Sequence, residues 1–363
     1  MRDVNCDAAG RWGGGSQREL HVRGARLLTA TLLLASVAAG KAAEVEQFPE
    51  PAALKPAVRF WVDMFSRYGS EDYVIHDRQD LGRVYEVVHV EDPSDLARVA
   101  ERLRAIAERI TLRSMWRLDA PPHQLRPIGG TAPVNPGLDR LRVQRGMREA
   151  FAQALTAERL YRPLVTQALV DEGVPAALAA LPLIESSYHP GAESSAGAVG
   201  LWQLTADTAR RYLRVGGVDD ERRDPARATA AAAQHLRELR EALPSWPLAI
   251  TAYNHGLPGV MRARRDVGSD DLGVLVNRYH GPSFGFASRN YYAEFLAARE
   301  IAQHVGRYFP QLRPGTVIEY RVKEGDCLTT VAQRHGVTVP QLRQTNGLVS
   351  AQLQPGQRLL IQL

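Results

Sequence analysis

Cysteine is almost absent from this chain, with two among 363 residues, Cys6 and Cys327. Cys6 falls in an N-terminal segment expected to be removed. Cys327 is then alone, so neither an internal disulfide nor a cysteine metal site is expected. Charge of one sign is equally scarce. The 45 basic residues exceed the 40 acidic ones by only five, and no Lys/Arg run carries interleaved aromatic residues. Nucleic acid is therefore not expected as a partner. No His/Cys/Asp cluster at ligand spacing occurs, and neither a metal nor a cofactor is expected. The apolar run at the N-terminus, 27–40, stays below the ~20 residues of a membrane span.

That run (LLTATLLLASVAAG) carries no charge, follows Arg18, Arg23 and Arg26, and ends in Ser36, Ala38 and Ala39. A basic flank, a short apolar stretch and a small-residue end are the marks of an export signal, expected over 1–39. A short buried helix would read the same way. No cysteine sits beside it for a lipid anchor. With 45% hydrophobic and 23% charged residues, the rest has the composition of a globular chain, and its length suits two domains.

Residues 55–117 mix signals, with helical spacing at 57–68, extended stretches at 73–76 and 84–90, and a strongly periodic helix at 95–110. Five prolines and three glycines make 120–137 a surface loop or linker. From about 138 to about 305 the pattern is helical, with helices expected at 143–154, 157–172, 205–212, 225–243 and 291–303. Asp224-Pro225 is a strong helix start, an aspartate cap followed by proline. A second linker is expected at 306–316. The tail, 317–363, reads strand, helix, helix, strand.

Three short signals lie in the helical part. Glu185 follows Leu181-Pro182-Leu183-Ile184, and an apolar setting raises a carboxyl pKa toward what a general acid needs near neutral pH. A solvated glutamate at a helix end would give the same fragment. Pro182 leaves open whether that helix is kinked or begins there. Next comes Gly197-Ala198-Val199-Gly200-Leu201-Trp202-Gln203, whose glycines permit tight turns and whose Gln203 offers donor and acceptor. Alone, it could equally be a loop with a core tryptophan. Third is 246–256, an apolar helix with Tyr253 and Asn254 at its exit and Gly256 beyond.

In that order the three resemble the Glu-Ser, Gly-Leu-(Met/Trp)-Gln and Ala-Tyr-Asn motifs of the family 1 lytic transglycosylases. The context is most similar to the membrane-bound lytic transglycosylase D branch. Glu172-Gly173-Val174-Pro175, Trp202 and Asp220-Glu221-Arg222-Arg223-Asp224-Pro225 carry that likeness over about 138–300, and His76-Asp77 more weakly. Ser288-Arg289-Asn290-Tyr291 resembles the family's fourth element, with Tyr292 leaving a one-residue ambiguity. The tail resembles a LysM domain, which binds N-acetylglucosamine. Its likeness rests on Tyr320–Asp326, Asn346-Gly347-Leu348 and the Pro355-Gly356 turn, and it departs at Cys327, a thiol expected to be partly buried.

The resemblance implies a mainly α fold. A lysozyme-like helical catalytic domain of the goose-lysozyme/lytic transglycosylase type is preceded by a small mixed α/β region and followed by a βααβ LysM module. The expected boundaries are a signal peptide at 1–39, an extension with its linker at 40–137, the catalytic domain at 138–305, a linker at 306–316 and LysM at 317–363. It further implies an exported enzyme of the periplasm or cell envelope that acts on peptidoglycan glycan strands, with peripheral envelope association. Glu185 would protonate the glycosidic oxygen and then deprotonate the muramyl 6-hydroxyl. Ser186 and Gln203 would orient the substrate, with Gly200, Leu201 and Trp202 supporting. Tyr253 would hold or tune Glu185, Asn254 would support the site, and Tyr291 would line the cleft. In LysM, Gly325, Asp326, Asn346, Gly347 and Leu348 would bind glycan.

No acidic partner for Glu185 stands out in these motifs, and Glu193 is the nearest in sequence. The competing readings are a hydrolytic goose-type lysozyme, a non-catalytic peptidoglycan-binding scaffold and a peptide-cutting envelope hydrolase. The last needs a Cys-His pair or metal ligands.

Overall fold

Proline at the first turn and apolar residues three and four apart start helix α1 (Lys55–Ser66), whose Ala57, Val58, Phe60, Trp61, Met64 and Phe65 are buried. The structure is a computed structural model describing residues 47–116, 136–217, 219–281, 283–312, 315–346, 348, 350 and 352–362. The expected export signal, most of 120–137 and Gly347 lie outside the described residues. Residues 1–49 and 50–363 separate into two units, and the second is the subject below.

Three antiparallel strands follow α1 in space, β1 (Asp72–Asp77), β2 (Val84–His89) and β3 (Leu141–Arg145), in the order β2-β1-β3. Successive side chains on a strand face opposite ways, and β1 uses both faces. Ile75 joins Val88 and Leu141 in a core with Val99, Ile106 and Ala107 of helix α2 (Leu96–Trp116). His76 turns the other way, its ring 4.6 Å from Phe60 of α1 and 5.9 Å from Phe286.

The helix expected at 143–154 is corrected in its first part. Residues 141–145 pair with β1, Val143 opposite Ile75, because the ladder with β1 satisfies their backbone and overrides the local helical spacing. Helix α3 (Arg148–Asp171) then runs unbroken through both helices expected up to 172, carrying Pro163 inside it.

The chain is mainly α-helical. Asp224 caps α5 (Pro225–Ala242) by accepting from the Arg227 N–H, as the aspartate-proline pair predicts. Around it stand α6 (Trp246–His255), α7 (Leu257–Val267) and α8 (Phe286–Gln303). Helix α4 (Leu181–Glu185) is a five-residue turn that settles the question of Pro182. A 3₁₀ turn over Ala176–Ala180 ends and a new helix begins, with proline in its first turn.

The C-terminal module is β4 (Val317–Arg321), α9 (Leu328–His335), α10 (Val339–Asn346) and β5 (Arg358–Gln362), with Ile318 opposite Ile361 in the antiparallel pair. Val331 and Ile361 lie at the centre of its small core. The module sits on α3, where the Tyr161 hydroxyl donates to Glu319 at 2.9 Å and accepts from Arg358 at 2.7 Å. The stretch expected as a free linker at 306–316 includes the helical turn Val305–Tyr308 and a fully buried Phe309. Cys327 is corrected from partly buried to exposed. It is the N-cap of α9, a position whose side chain bonds the helix's first N–H groups at the surface.

Helix α1 reaches α8 through Trp61, which contacts Phe286 at 6.4 Å and is 4% exposed. Replacing it with alanine is expected to cost about 3–5 kcal/mol in denaturant unfolding. Phenylalanine should cost far less, because the indole N–H has no acceptor to lose.

Candidate active site

Glu185 is the last residue of α4, and the chain reverses immediately after it. Ser187 and Tyr188 hold left-handed backbone angles, φ 53° and 58°, conformations that non-glycine residues adopt only when their surroundings enforce them. Tyr188 supplies part of that enforcement, since it is buried and its hydroxyl donates to the Ala179 carbonyl at 2.6 Å. The Glu185 carboxyl accepts a short hydrogen bond from the Tyr291 hydroxyl of α8. Burial pushes its pKa up to about 7, against the opposing pull of that bond. A carboxyl group so placed can give a proton near neutral pH and take it back.

The glycine-rich loop stands beside it, fastened carbonyl by carbonyl. The Ser186 hydroxyl donates to Leu201 O at 2.7 Å, and Tyr253 donates to Trp202 O at 2.7 Å. Trp202 is fully buried, its indole N–H on Thr229 of α5 at 2.9 Å. Arg222 reaches Gly197 O at 3.0 Å and Leu204 O at 3.1 Å, and its guanidinium is paired with Asp220 at 2.7 Å, both side chains buried. Gly200 has φ +84°, and a Cβ there would lie 1.9 Å from the Arg222 carbonyl. Only glycine fits. Gln203 is also left-handed, and its amide N–H₂ donates to Gly200 O at 3.0 Å and Ala192 O at 3.4 Å.

Ser186, Gly200, Leu201, Trp202, Gln203 and Tyr253 thus come together next to Glu185. Tyr291, and not Tyr292, bonds Glu185 directly, while Tyr253 bonds the loop and feels the charge on Glu185. Asn254 is exposed and accepts weakly from Ser288 at 3.5 Å, while Ser288 also meets His255 at 3.0 Å. Burial and the charge on Glu185 push both phenols, Tyr253 and Tyr291, well above their usual range, so both remain donors.

Glu193 is not the acidic neighbour of Glu185. It lies at the surface, paired with Arg223 at 2.6 Å. The neighbour that sequence reasoning missed is Glu294, three residues after Tyr291 on α8 and half-buried. Burial, and then the charge on Glu185, push its pKa up to about 8, while Arg142 of β3 pulls it down. Its setting, Tyr291-Tyr292-Ala293-Glu294-Phe295-Leu296, is the same signal that singled out Glu185, a glutamate in an apolar run. Arg142 left no comparable signal.

In the C-terminal module, Asp326 accepts from Tyr320 at 2.5 Å, the Lys323 N–H at 2.8 Å and Arg334 at 3.1 Å. The Asn346 amide bridges Leu342 O and Leu360 O, each at 2.8 Å, and accepts from the Leu360 N–H at 2.7 Å. Both side chains hold the module together. Gly325 has φ +82° in the turn after β4, and Leu348 packs on the module's core. Asn346 and Leu348 also border a cavity of about 540 Å³ shared with α3.

Residues 165–272 match the Transglycosylase SLT domain family, and residues 320–362 match the LysM domain family. The membrane-bound lytic murein transglycosylase D of Escherichia coli K12 is 30% identical over 188 residues, 48% of this chain and 39% of that protein. The membrane-bound lytic murein transglycosylase F of Vibrio cholerae is 30% identical over 151 residues, 37% of this chain and 27% of that protein. The chain therefore spans about two-fifths of the first relative's length. The solved 70 kDa soluble lytic transglycosylase from Escherichia coli is similar at a TM-score of 0.35 and 21% identity, covering 42% of this chain and 26% of that chain.

The clamp on the loop and the acid itself make separate predictions. Arg222→Ala strands Asp220 as a buried unpaired carboxylate and should cost about 3–5 kcal/mol in denaturant unfolding. Glu185→Gln should act the other way. The folded state holds the proton up to about pH 7, above the unfolded value, so ionisation works against folding as pH rises through that range. The variant should be more stable than the parent by about 3 kcal/mol at pH 8, and the gain should vanish at pH 4. A gain equal at both pH values would show that the carboxyl is not strained by its burial.

Proposed function

We propose that this chain is a peptidoglycan lytic transglycosylase. It would cleave the β-1,4 bond between N-acetylmuramic acid and N-acetylglucosamine and leave 1,6-anhydromuramyl ends. The observation that carries the reading is the carboxyl group of Glu185, raised to about 7 by burial and held by one phenolic donor. The matches to the SLT and LysM families support the substrate class.

The reaction uses one residue twice. Protonated Glu185 gives its proton to the glycosidic oxygen as the C1–O bond breaks, and the substrate's acetamido group stabilises the cation at C1. Glu185, now a carboxylate, takes the proton of the muramyl 6-hydroxyl. The O6–C1 bond closes, and the acid is restored with no net use of water. The Tyr291 hydroxyl stabilises the carboxylate between the two steps, and burial keeps it basic enough for the second. Residues 197–204 form the adjoining wall, and Gln203 in it and Asn254 of α6 meet the sugar's polar groups.

Glu294 does not turn the site into a hydrolase. A base that activates water must be ionised while its partner is protonated. Here burial pushes both carboxyl groups upward, so neither is set apart as an ionised base. We place the enzyme in the periplasm or at the cell envelope, exported by 1–39 and brought to glycan strands by the C-terminal module. Among the described residues no helix is long and apolar enough to cross a membrane.

Peptidoglycan digested by the purified protein should yield muropeptides lighter by one water than hydrolysis products, and Glu185→Gln should yield none. Reducing ends in the mass spectrum would instead identify a hydrolytic lysozyme. Retention on peptidoglycan without any release would leave a binding scaffold.

A further inference from the structure

The C-terminal module is attached to α3 at two points. Phe309, fully buried on the approach to the module, stacks on Phe151 near the start of α3 at 6.4 Å. Ten residues further along the helix, roughly 15 Å, the Tyr161 hydroxyl donates to Glu319 of β4 at 2.9 Å and accepts from Arg358 of β5 at 2.7 Å. Two fixed points on one helix set the orientation of the module as well as its position. Glu319 and Arg358 are also paired with each other, and the buried Glu158 of α3 is paired with Arg162 at 2.7 Å, so neither carboxylate lacks a cation. Arg321 of β4 is a further, exposed cation close to Tyr161. The seam itself is not filled. Ala150, Ala154 and Ala157 of α3 face Leu348 and Leu360 of the module across the cavity of about 540 Å³. Side chains that border a void forfeit contact on that side, which leaves the polar cluster at Tyr161 a larger part in holding the module down.

Tyr161 also meets the active site. Its ring lies against that of Tyr188, the planes 12° apart and the centres separated by 6.4 Å. Tyr188 closes α4 behind Glu185. Its hydroxyl is on Ala179 O at 2.6 Å, and its N–H donates to Pro182 O at 3.1 Å. The Ser186 N–H donates to the same carbonyl at 3.1 Å. Left-handed angles at side chains other than glycine persist only where the surroundings impose them. Ser187 is exposed and Tyr188 is buried, so the constraint falls on Tyr188. Hydrogen bonds fix its amide and its hydroxyl, and Tyr161 backs the ring between them.

Resting on the transglycosylase reading, we propose that the C-terminal module braces the active site as well as binding peptidoglycan. Glu319 and Arg358 hold Tyr161 in place, Tyr161 backs the ring of Tyr188, and Tyr188 fixes the turn that carries Glu185. Tyr161 is thus a positioning residue, and the share of the module in the reaction falls on kcat. A module that served only as a tether would raise the local concentration of glycan and act on KM alone. Small displacements matter here because Glu185 must stay within hydrogen-bond reach of the oxygen it protonates. A misplacement of about 1 Å can cost on the order of a hundredfold in rate.

Glu319→Arg tests the brace from the side of the module. It sets the new guanidinium against those of Arg358 and Arg321 around the Tyr161 hydroxyl and alters no atom of the active site. Two properties of the full chain are measured, hydrogen exchange of the amides at 186–188 and the kcat and KM for soluble glycan fragments of peptidoglycan. The Ser186 and Tyr188 amides should lose protection, and kcat should fall about tenfold with KM little changed. Tyr161→Phe keeps the ring and loses both bonds to the module, so it should move exchange and kcat in the same directions by less. Exchange or kcat left at the parent's value in Glu319→Arg overturns the brace and leaves the module a tether. Should Glu319→Arg fail to fold, Tyr161→Phe decides alone, faster exchange with lower kcat supporting the brace and either one unmoved overturning it. A parent that cuts no glycan, or a Glu185→Gln variant that cuts as well as the parent, defeats the enzymatic reading instead. Exchange at 186–188 then still decides whether the module holds the turn.

Discussion

A carboxyl group largely withdrawn from water with one donor to satisfy it is unstable by construction, and the architecture around Glu185 is organised to hold that arrangement. Water would hydrate the carboxylate and return its pKa to the ordinary range. Rotation of the side chain would lose the Tyr291 bond. Both are prevented by fixed neighbours. Pro182 starts α4 in one place, the left-handed Ser187 and Tyr188 end it in one place, and the loop 197–204 closes the side. Tyr291 is fixed because α8 is pinned between α6 and α1, and the three-stranded sheet backs the start of α8 through His76 and Phe286. Helix α1 and the three-stranded sheet therefore form a buttress. Its aromatic residues hold still a helix whose hydroxyl must stay within hydrogen-bond reach of one oxygen.

The loop meets a related difficulty with backbone instead of side chains. Residues 197–204 pair some of their own carbonyls through the Val199–Leu204 bridge, and Ser186, Tyr253 and Arg222 add donors from three other segments. Motifs that look like separate fragments along the chain are thus one hydrogen-bonded object. Ser186 follows the acid because its hydroxyl must reach Leu201. Tyr253 ends α6 because its hydroxyl must reach Trp202. The Asp220–Arg222 pair exists in the interior because two carbonyls need a donor there, and the aspartate neutralises the cation that provides it.

What could be read from residues alone follows from these constraints. Glu185 was legible because a carboxyl group after four apolar residues contradicts its setting, and the helix start at Asp224-Pro225 because capping is local chemistry. The strand at 141–145 was not legible. Leu141, Arg142, Val143 and Gln144 have no alternation that outweighs the helical spacing running into α3, and they are a strand only because β1 is there to pair with. Arg142 was lost with that strand. Glu294 carried the same signal as Glu185 but sat beyond the motif that drew attention to Tyr291. Which of Tyr253 and Tyr291 bonds Glu185 depends on which hydroxyl falls closest to one oxygen atom, a matter of tertiary placement that spacing along a helix does not encode. In the C-terminal module the polar residues of the turns were legible as positions but not as roles. Asp326 and Asn346 use their oxygens and nitrogens to tie strand, helix and turn in a fold of about 45 residues, where the core alone has little area to bury.

Burial that makes Glu185 useful would also be expected to make the chamber hostile to the charge born there when the proton leaves. A second ionised carboxylate at that distance would deepen the problem, and a bare cation inside would remove the basicity needed for ring closure. The arrangement found lies between these extremes. Tyr291 lends one neutral donor, Glu294 is biased toward its neutral form, and Arg142 stands at the exposed rim, where water weakens its field. For a reaction in which one residue must serve first as acid and then as base within the same turnover, near-equality of the two protonation states is what the electrostatics of the site has to deliver.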